Sequence, residues 1–195
     1  MADDSPNTTQ LEAVNTMLST IGEAAVADLT GSLPADAAMA QGALLEISRT
    51  VQLEGWDFNT VERVEFPLDG GGEIPITGNV LRVDFPQHPT DDIKVGAKLY
   101  NKTEKTFIYT STRTADEVVY FRQWGDLTEE ARRYIMIRAA RVFSQRAVGA
   151  GDLRAFTVQD ELDARALIVK AQINSGNLNM LGLNETSLRP PRRFP

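Results

Sequence analysis

The sequence contains no cysteine, and its 195 residues include a single histidine, His88. The first absence excludes disulfide frameworks, thiolate catalysis and thiolate metal sites together. The second leaves little imidazole chemistry. His88 lies in Gln87-His88-Pro89-Thr90-Asp91-Asp92, and no set of further histidines or convergent carboxylates can be assembled around it to hold a metal, so it reads as a solvated loop residue. No nucleophile-elbow pattern presents a serine. Long hydrophobic runs are missing too: nothing approaches the ~20 apolar residues that span a bilayer. Residues 1–10 are acidic and polar, unlike a signal peptide. Basic charge is scarce as well. Twenty Lys+Arg stand against 27 Asp+Glu, a net charge of −7, which argues against gripping nucleic acid by general phosphate neutralisation.

What is present is an ordinary globular composition, 42% hydrophobic and 24% charged, with a length that suits one domain or two small ones. The acid is concentrated at one end. Residues 1–55 carry Asp3, Asp4, Glu12, Glu23, Asp28, Asp36, Glu46 and Glu54 against Arg49 alone, while the remainder of the chain is balanced. Such asymmetry marks a surface that meets a partner or keeps one away.

Periodicity and capping signals divide the chain. Thr9 and Glu12 have capping-box spacing, and Leu11, Val14, Leu18 and Ile21 follow at helical intervals up to Gly22, a natural stop. A second helix is predicted from Ala35, after Pro34, to Glu54, with Gly55 ending it. From Trp56 to Trp124 short β-type runs take over, at 58–66, 74–76, 80–85, 93–100, 106–110 and 117–121. Pro67, Pro75, Pro86 and Pro89 place strand ends and edges. Gly70-Gly71-Gly72 reads as a loop, for it lacks the Gly-Lys-[Ser/Thr] and the helix that a phosphate cradle requires. A cap and first-turn acids at 126–130 open a third helix to about Val148, and Thr157 with Asp160 opens a fourth to about Asn174. Its apolar stripe is Val158, Leu162, Ala166, Val169 and Ile173. The expected fold is α+β: a four-helix bundle domain (1–55 and 126–176), an inserted antiparallel β-sheet domain (56–125) and an extended tail (177–195).

Three features bear on function. The third helix is apolar on more than one side, through Ile135, Ala139, Val142 and Phe143 and also Ile137 and Tyr134, with Arg132, Arg133, Arg138, Arg141 and Arg146 in the remaining positions. It is either a central helix with snorkelling arginines or one that meets neighbouring subunits through them. The tail ends Arg189-Pro190-Pro191-Arg192-Arg193-Phe194-Pro195. Three cations, two prolines that enforce extension and one apolar anchor fit disorder, or docking on an acidic neighbour, better than nucleic-acid contact. Asp57, Glu62, Asp84, Asp91 and Asp92 are candidate carboxylates for glycoside hydrolysis, but acids in an acidic sequence pair by chance, and solvated sheet faces account for them better.

Several of these residues resemble one family. Leu11-x-x-Val14-Asn15-x-x-Leu18-x-x-Ile21-Gly22-Glu23 with Val26 and Leu29 is similar to the opening of tail tubular protein A, the ring-forming adaptor of autographivirus-type short-tailed phages. Gly55-Trp56-x-Phe58-Asn59, then Tyr134-Ile135 with Ala139, Arg141, Phe143 and Arg146, and finally Asn179-Met180-Leu181, continue the match in order. The resemblance implies a structural virion protein without cofactor or catalysis. It would form a dodecameric ring between the portal and the nozzle protein, assembled in the bacterial cytoplasm, through which DNA passes without specific binding and with no membrane contact. It also implies that the helical domain builds the ring and that the C-terminal segment attaches to portal. Ring closure requires one patch to meet a different patch. The expected pair is the acidic 1–55 segment against basic residues of the third helix or tail, with Arg133, Arg138, Arg141, Arg189, Arg192, Arg193 and Phe194 as candidate interface residues. The alternatives are a tail-associated glycan hydrolase with a carboxylate pair, and a host-directed binding module using the sheet loops.

Overall fold

Helix ends in this protein are written in local chemistry. In the computed structural model, which describes residues 6–85, 91–148 and 156–175, α1 (Gln10–Ser19) begins at a complete capping box. The Glu12 amide donates to Thr9 Oγ1 and the Glu12 carboxylate accepts from the Thr9 amide. Gly22, at φ +80°, closes the turn, and the Glu23 amide reaches back to the Leu18 carbonyl. Asn15 then pins the following loop, its side chain accepting from the Val26 amide at 2.8 Å and donating to the Val26 carbonyl at 3.0 Å. α2 runs over Ala35–Leu53 and ends before Gly55, at φ +81°. α3 (Glu129–Val148) opens on two first-turn acids, and α4 (Val158–Ser175) starts from a second reciprocal cap between Thr157 and Asp160.

The four helices share one apolar cluster. α3 packs against α1, α2 and α4, which is how Tyr134, Ile135, Met136 and Ile137, four residues in succession, can all be buried. Phe143 belongs to the same buried cluster as Leu18, Leu44 and Val51. Truncating such a side chain to alanine typically costs ~3–5 kcal/mol. The helix apolar on several sides thus finds its partners within one chain.

A strand region occupies the interval between α2 and α3. β1 (Thr60–Phe66), β5 (Arg113–Tyr120) and β2 (Val80–Asp84) form an antiparallel sheet in the order β1-β5-β2, and β3 (Asp92–Val95) pairs with β4 (Lys98–Asn101) as a separate hairpin. A second apolar cluster lies here, around Phe66, Ile74, Val80, Leu99 and Val118. Four strand expectations change. The run 93–100 is split by a turn at Gly96, φ +62°. Segments 74–76 and 106–110 contribute only isolated bridges, Glu73–Ile108, Pro75–Lys98 and Asn101–Thr106. The central strand β5 starts four residues earlier than its apolar run, because its backbone pairs with β1 from Arg113 onward, while β2 joins it only from Glu117.

The two clusters meet at a buried polar junction. The Asn59 amide group donates to the Gln52 carbonyl at the end of α2 and to the Tyr120 carbonyl at the end of β5, both at 2.9 Å, while its oxygen accepts from the Trp56 amide at 2.8 Å. Gln52 accepts from the Arg122 amide at 2.7 Å, and the Trp56 indole donates to the Val51 carbonyl. Gly55 fits a tight place here: a Cβ would lie 3.0 Å from the Arg82 guanidinium. The motif Gly55-Trp56-x-Phe58-Asn59 is therefore the joint between helices and sheet.

Candidate assembly surface

The arginines of α3 divide into three kinds. Arg132 is buried and donates to three main-chain carbonyls, Leu127 at 3.0 Å, Thr8 at 3.1 Å and Gly125 at 2.8 Å. With Glu129, which accepts from the Thr8 amide and hydroxyl, and the Trp124 indole, which donates to the Thr8 carbonyl, it fastens the segment before α1 to the start of α3. Arg138, Arg141 and Arg146 reach acids of the same chain. Arg138 lies 3.4 Å from Glu54 and 3.7 Å from Glu161, and Arg141 pairs with Glu161. Arg146 holds Glu46 through two bonds of 2.7 and 2.8 Å, which keeps the Glu46 carboxyl below its ordinary range. Arg165 of α4 adds a second cation to Glu54, at 2.9 Å. Arg133 is exposed, with no hydrogen bond or ion pair among the described residues.

Acid from the first 55 residues and base from α3 do meet, but the pairs seen lie inside one chain, tying α2 to α3 and α4. Arg189, Arg192, Arg193 and Phe194 lie outside the described residues, as do His88, the Pro86 and Pro89 strand ends and Asn179-Met180-Leu181.

The surface left for a partner is apolar and belongs to α4. Val158, Leu162 and Ile173 are 54–55% exposed, and Val169 is 40% exposed. The face by which α4 packs on α3 is instead Ala164 and Ile168, roughly 130° around the helix. The stripe that periodicity reads as a core face is real, yet it has no partner within the described chain. Period reports which residues share a face and is silent about what covers it. α2 has an outward face as well, with Met39, Leu45 and Leu53 exposed beside the exposed Ala38 and Gly42.

The candidate carboxylates do not gather. Asp92 is buried against the Arg113 guanidinium at 3.1 Å and the Tyr109 hydroxyl at 3.3 Å, and burial is the main cause that pushes the Tyr109 hydroxyl well above its ordinary range. Asp91 pairs with Lys102. Glu62 and Asp84 flank Glu117 across the sheet, where Arg82 donates to Glu117 at 2.6 Å. One cleft is lined by Trp56, Phe58 and Ile168 with Asp57 as its single acid; another has only Glu54, which is paired with Arg165. The carboxylates whose pKa moves, Asp28, Glu46, Asp69 and Asp160, all move down through hydrogen bonds from Thr30, Arg146, Glu73 with Gly71, and Thr157. A glycosidase acid requires the opposite direction. In the triple-glycine loop the Gly71 and Glu73 amides donate to Asp69 Oδ1, so the loop binds its own carboxylate. Among the described residues no three His, Asp or Glu converge as a metal site, and no helix is long and apolar enough to cross a membrane.

No curated protein matches this chain. A sequence-family profile described as tail tubular protein matches residues 11–178, from α1 through the joint at Trp56 and Asn59 to the end of α4. With that span the chain belongs to the tail tubular protein family, and it is a structural component of a bacteriophage tail.

Proposed function

We propose that this protein forms the adaptor ring of a short phage tail, between the portal above and the nozzle protein below, and that twelve copies line a conduit for genome ejection. The observation that carries the reading is the α4 stripe of a tail tubular protein, four large apolar side chains left about half exposed, since an apolar face of this size at helical spacing calls for a second chain. Residues 1–55 and 126–176 act as the ring-building helical domain, 56–125 as an inserted β domain, and 177–195 as a tail that docks on portal. Arg133, free of partners among the described residues, and Arg189, Arg192, Arg193 and Phe194 are the candidate docking residues. The overall negative charge suits a channel wall along which DNA slides, because a basic wall would hold the phosphates. The protein performs no chemistry in this role and is assembled in the host cytoplasm. Electron microscopy of the chain mixed with its portal tests the proposal. Twelve-fold rings on the portal are expected, and a chain that remains monomeric and never binds portal would overturn it.

A further inference from the structure

The cleft beside the helix–sheet joint has a volume of about 270 Å³ and is walled by Trp56, Phe58, Thr128, Ile168, Ala171 and Gln172. That is far more room than one water needs, and its mostly apolar walls give water few partners. The chain leaves α4 on this side. Ile168, Ala171, Gln172 and Ser175 follow one another at i, i+3, i+4 and i+7, so the helix ends on the face that forms the cleft wall. Gly176 comes next, a residue type able to reverse the chain at a helix end. Asn177-Leu178-Asn179-Met180 then alternates polar and apolar, the pattern of an extended segment with one side covered. From Ala171 to Asn184 the sequence carries no charge, and Leu178, Met180, Leu181 and Leu183 lie close together within it. Such a stretch is better placed against apolar surface than in water.

We propose that residues 178–181 fold back along α4 of their own chain and seat Leu178 and Met180 in this cleft. The lengths agree. Gly176 lies about 6 Å beyond Gln172 and about 12 Å beyond Ile168 along the helix axis. In an extended chain running back from it, Leu178 and Met180 lie about 7 and 13 Å away. Leu178 therefore comes level with Gln172, and Met180 with Ile168, where the aromatic walls suit a thioether. Asn177 and Asn179 fall on the opposite side, towards water. The same segment of a second copy would have to displace one tethered a few residues away, whose effective concentration is about millimolar. Residues 182–195 then depart beside the joint at Trp56 instead of from the tip of α4, which decides what Arg189, Arg192 and Arg193 can reach. The seat is built within one copy and stands whether or not rings form.

With no native cysteine, placed pairs report the seat directly. In the full chain, Thr128→Cys/Met180→Cys spans the cleft, whereas Lys170→Cys/Met180→Cys asks the tail to reach the exposed side of α4. A short bis-maleimide is expected to close the first pair within one chain at least about tenfold faster than the second, although Lys170 is the nearer to Met180 in sequence. Equal rates, or a faster link at Lys170, would overturn the proposal. Links at Thr128 that form only between copies would overturn it too, by giving the cleft to a neighbour's tail. Independently, Met180→Asp should speed hydrogen exchange of the 171–174 amides about tenfold, while Leu188→Asp, beyond the seated stretch, should leave them unchanged. Unchanged exchange in the first variant, or equal acceleration in the second, counts against the seat.

Discussion

Exchanging Asn59 for aspartate alters one atom of a fully buried side chain, replacing an NH2 by an oxygen with almost no change in volume. The Asn59 Nδ2 group donates to the Gln52 and Tyr120 carbonyls, both at 2.9 Å, and Oδ1 accepts from the Trp56 amide at 2.8 Å. Aspartate keeps the last bond and loses the other two, leaving two buried carbonyls facing a carboxylate. Two lost bonds at about 1 kcal/mol each, with the desolvation of an unpaired charge, put the cost at about 3–5 kcal/mol near neutral pH. That is a large share of the ~5–15 kcal/mol that holds a domain together. The penalty depends on pH with a definite sign. Burial raises the folded-state pKa of the new carboxyl above its unfolded value of ~3.9, so between the two values the folded state binds the extra proton. Stability relative to wild type therefore falls as pH rises through that window, by up to ~1.4 kcal/mol per unit, and recovers on acidification. Urea titrations of both proteins, followed by circular dichroism at pH 7 and pH 4.5, measure the difference. An Asn59→Asp protein as stable as wild type, or equally destabilised at both values, would refute the junction chemistry.

Arg132→Lys should cost about 1–3 kcal/mol, because one ammonium cannot serve the Leu127, Thr8 and Gly125 carbonyls together; faster hydrogen exchange of the Thr8–Ala13 amides is the local readout. Asp92→Ala removes the buried carboxylate that the Arg113 guanidinium and the Tyr109 hydroxyl share, a loss of about 3–5 kcal/mol visible as a lower urea midpoint. Gly42→Ala should raise the thermal midpoint of the isolated chain, by up to ~1 kcal/mol of added stability, and a lower midpoint would show that α2 needs the glycine internally. Thr157→Ala removes the α4 cap and should lower helicity. Because Asp160 is held below its ordinary range by Thr157, that contribution is present above the ordinary aspartate pKa and fades as pH falls through the depressed one. The gap between variant and wild type should narrow in acid.

The ends of α1, α2 and α4 were legible because their signals are neighbours in the chain: Thr9 with Glu12, Thr157 with Asp160, and the left-handed Gly22 and Gly55. The α+β class followed from the change of period at Trp56. The start of β5 is not legible, since Arg113, Thr114 and Ala115 join the strand through backbone pairing with β1 that no apolar run announces, and the two segments at 74–76 and 106–110 pair too briefly to be strands. The role of Asn59 and Gln52 was not readable at all, because their partners at Tyr120 and Arg122 are 61 and 70 residues away.

By itself, then, the sequence determined the helices, their apolar faces, the class of fold and, through the Leu11–Leu29 and Gly55–Asn59 patterns, the family. These depend on bonds within a few residues or on spacing along one element. Tertiary structure decided what each face meets. It assigned the α3 arginines to Glu46, Glu54 and Glu161 of their own chain and turned the α4 stripe outward. Periodicity and charge count are properties of a segment, whereas a partner is a property of the space around it, set by contacts about a hundred residues apart.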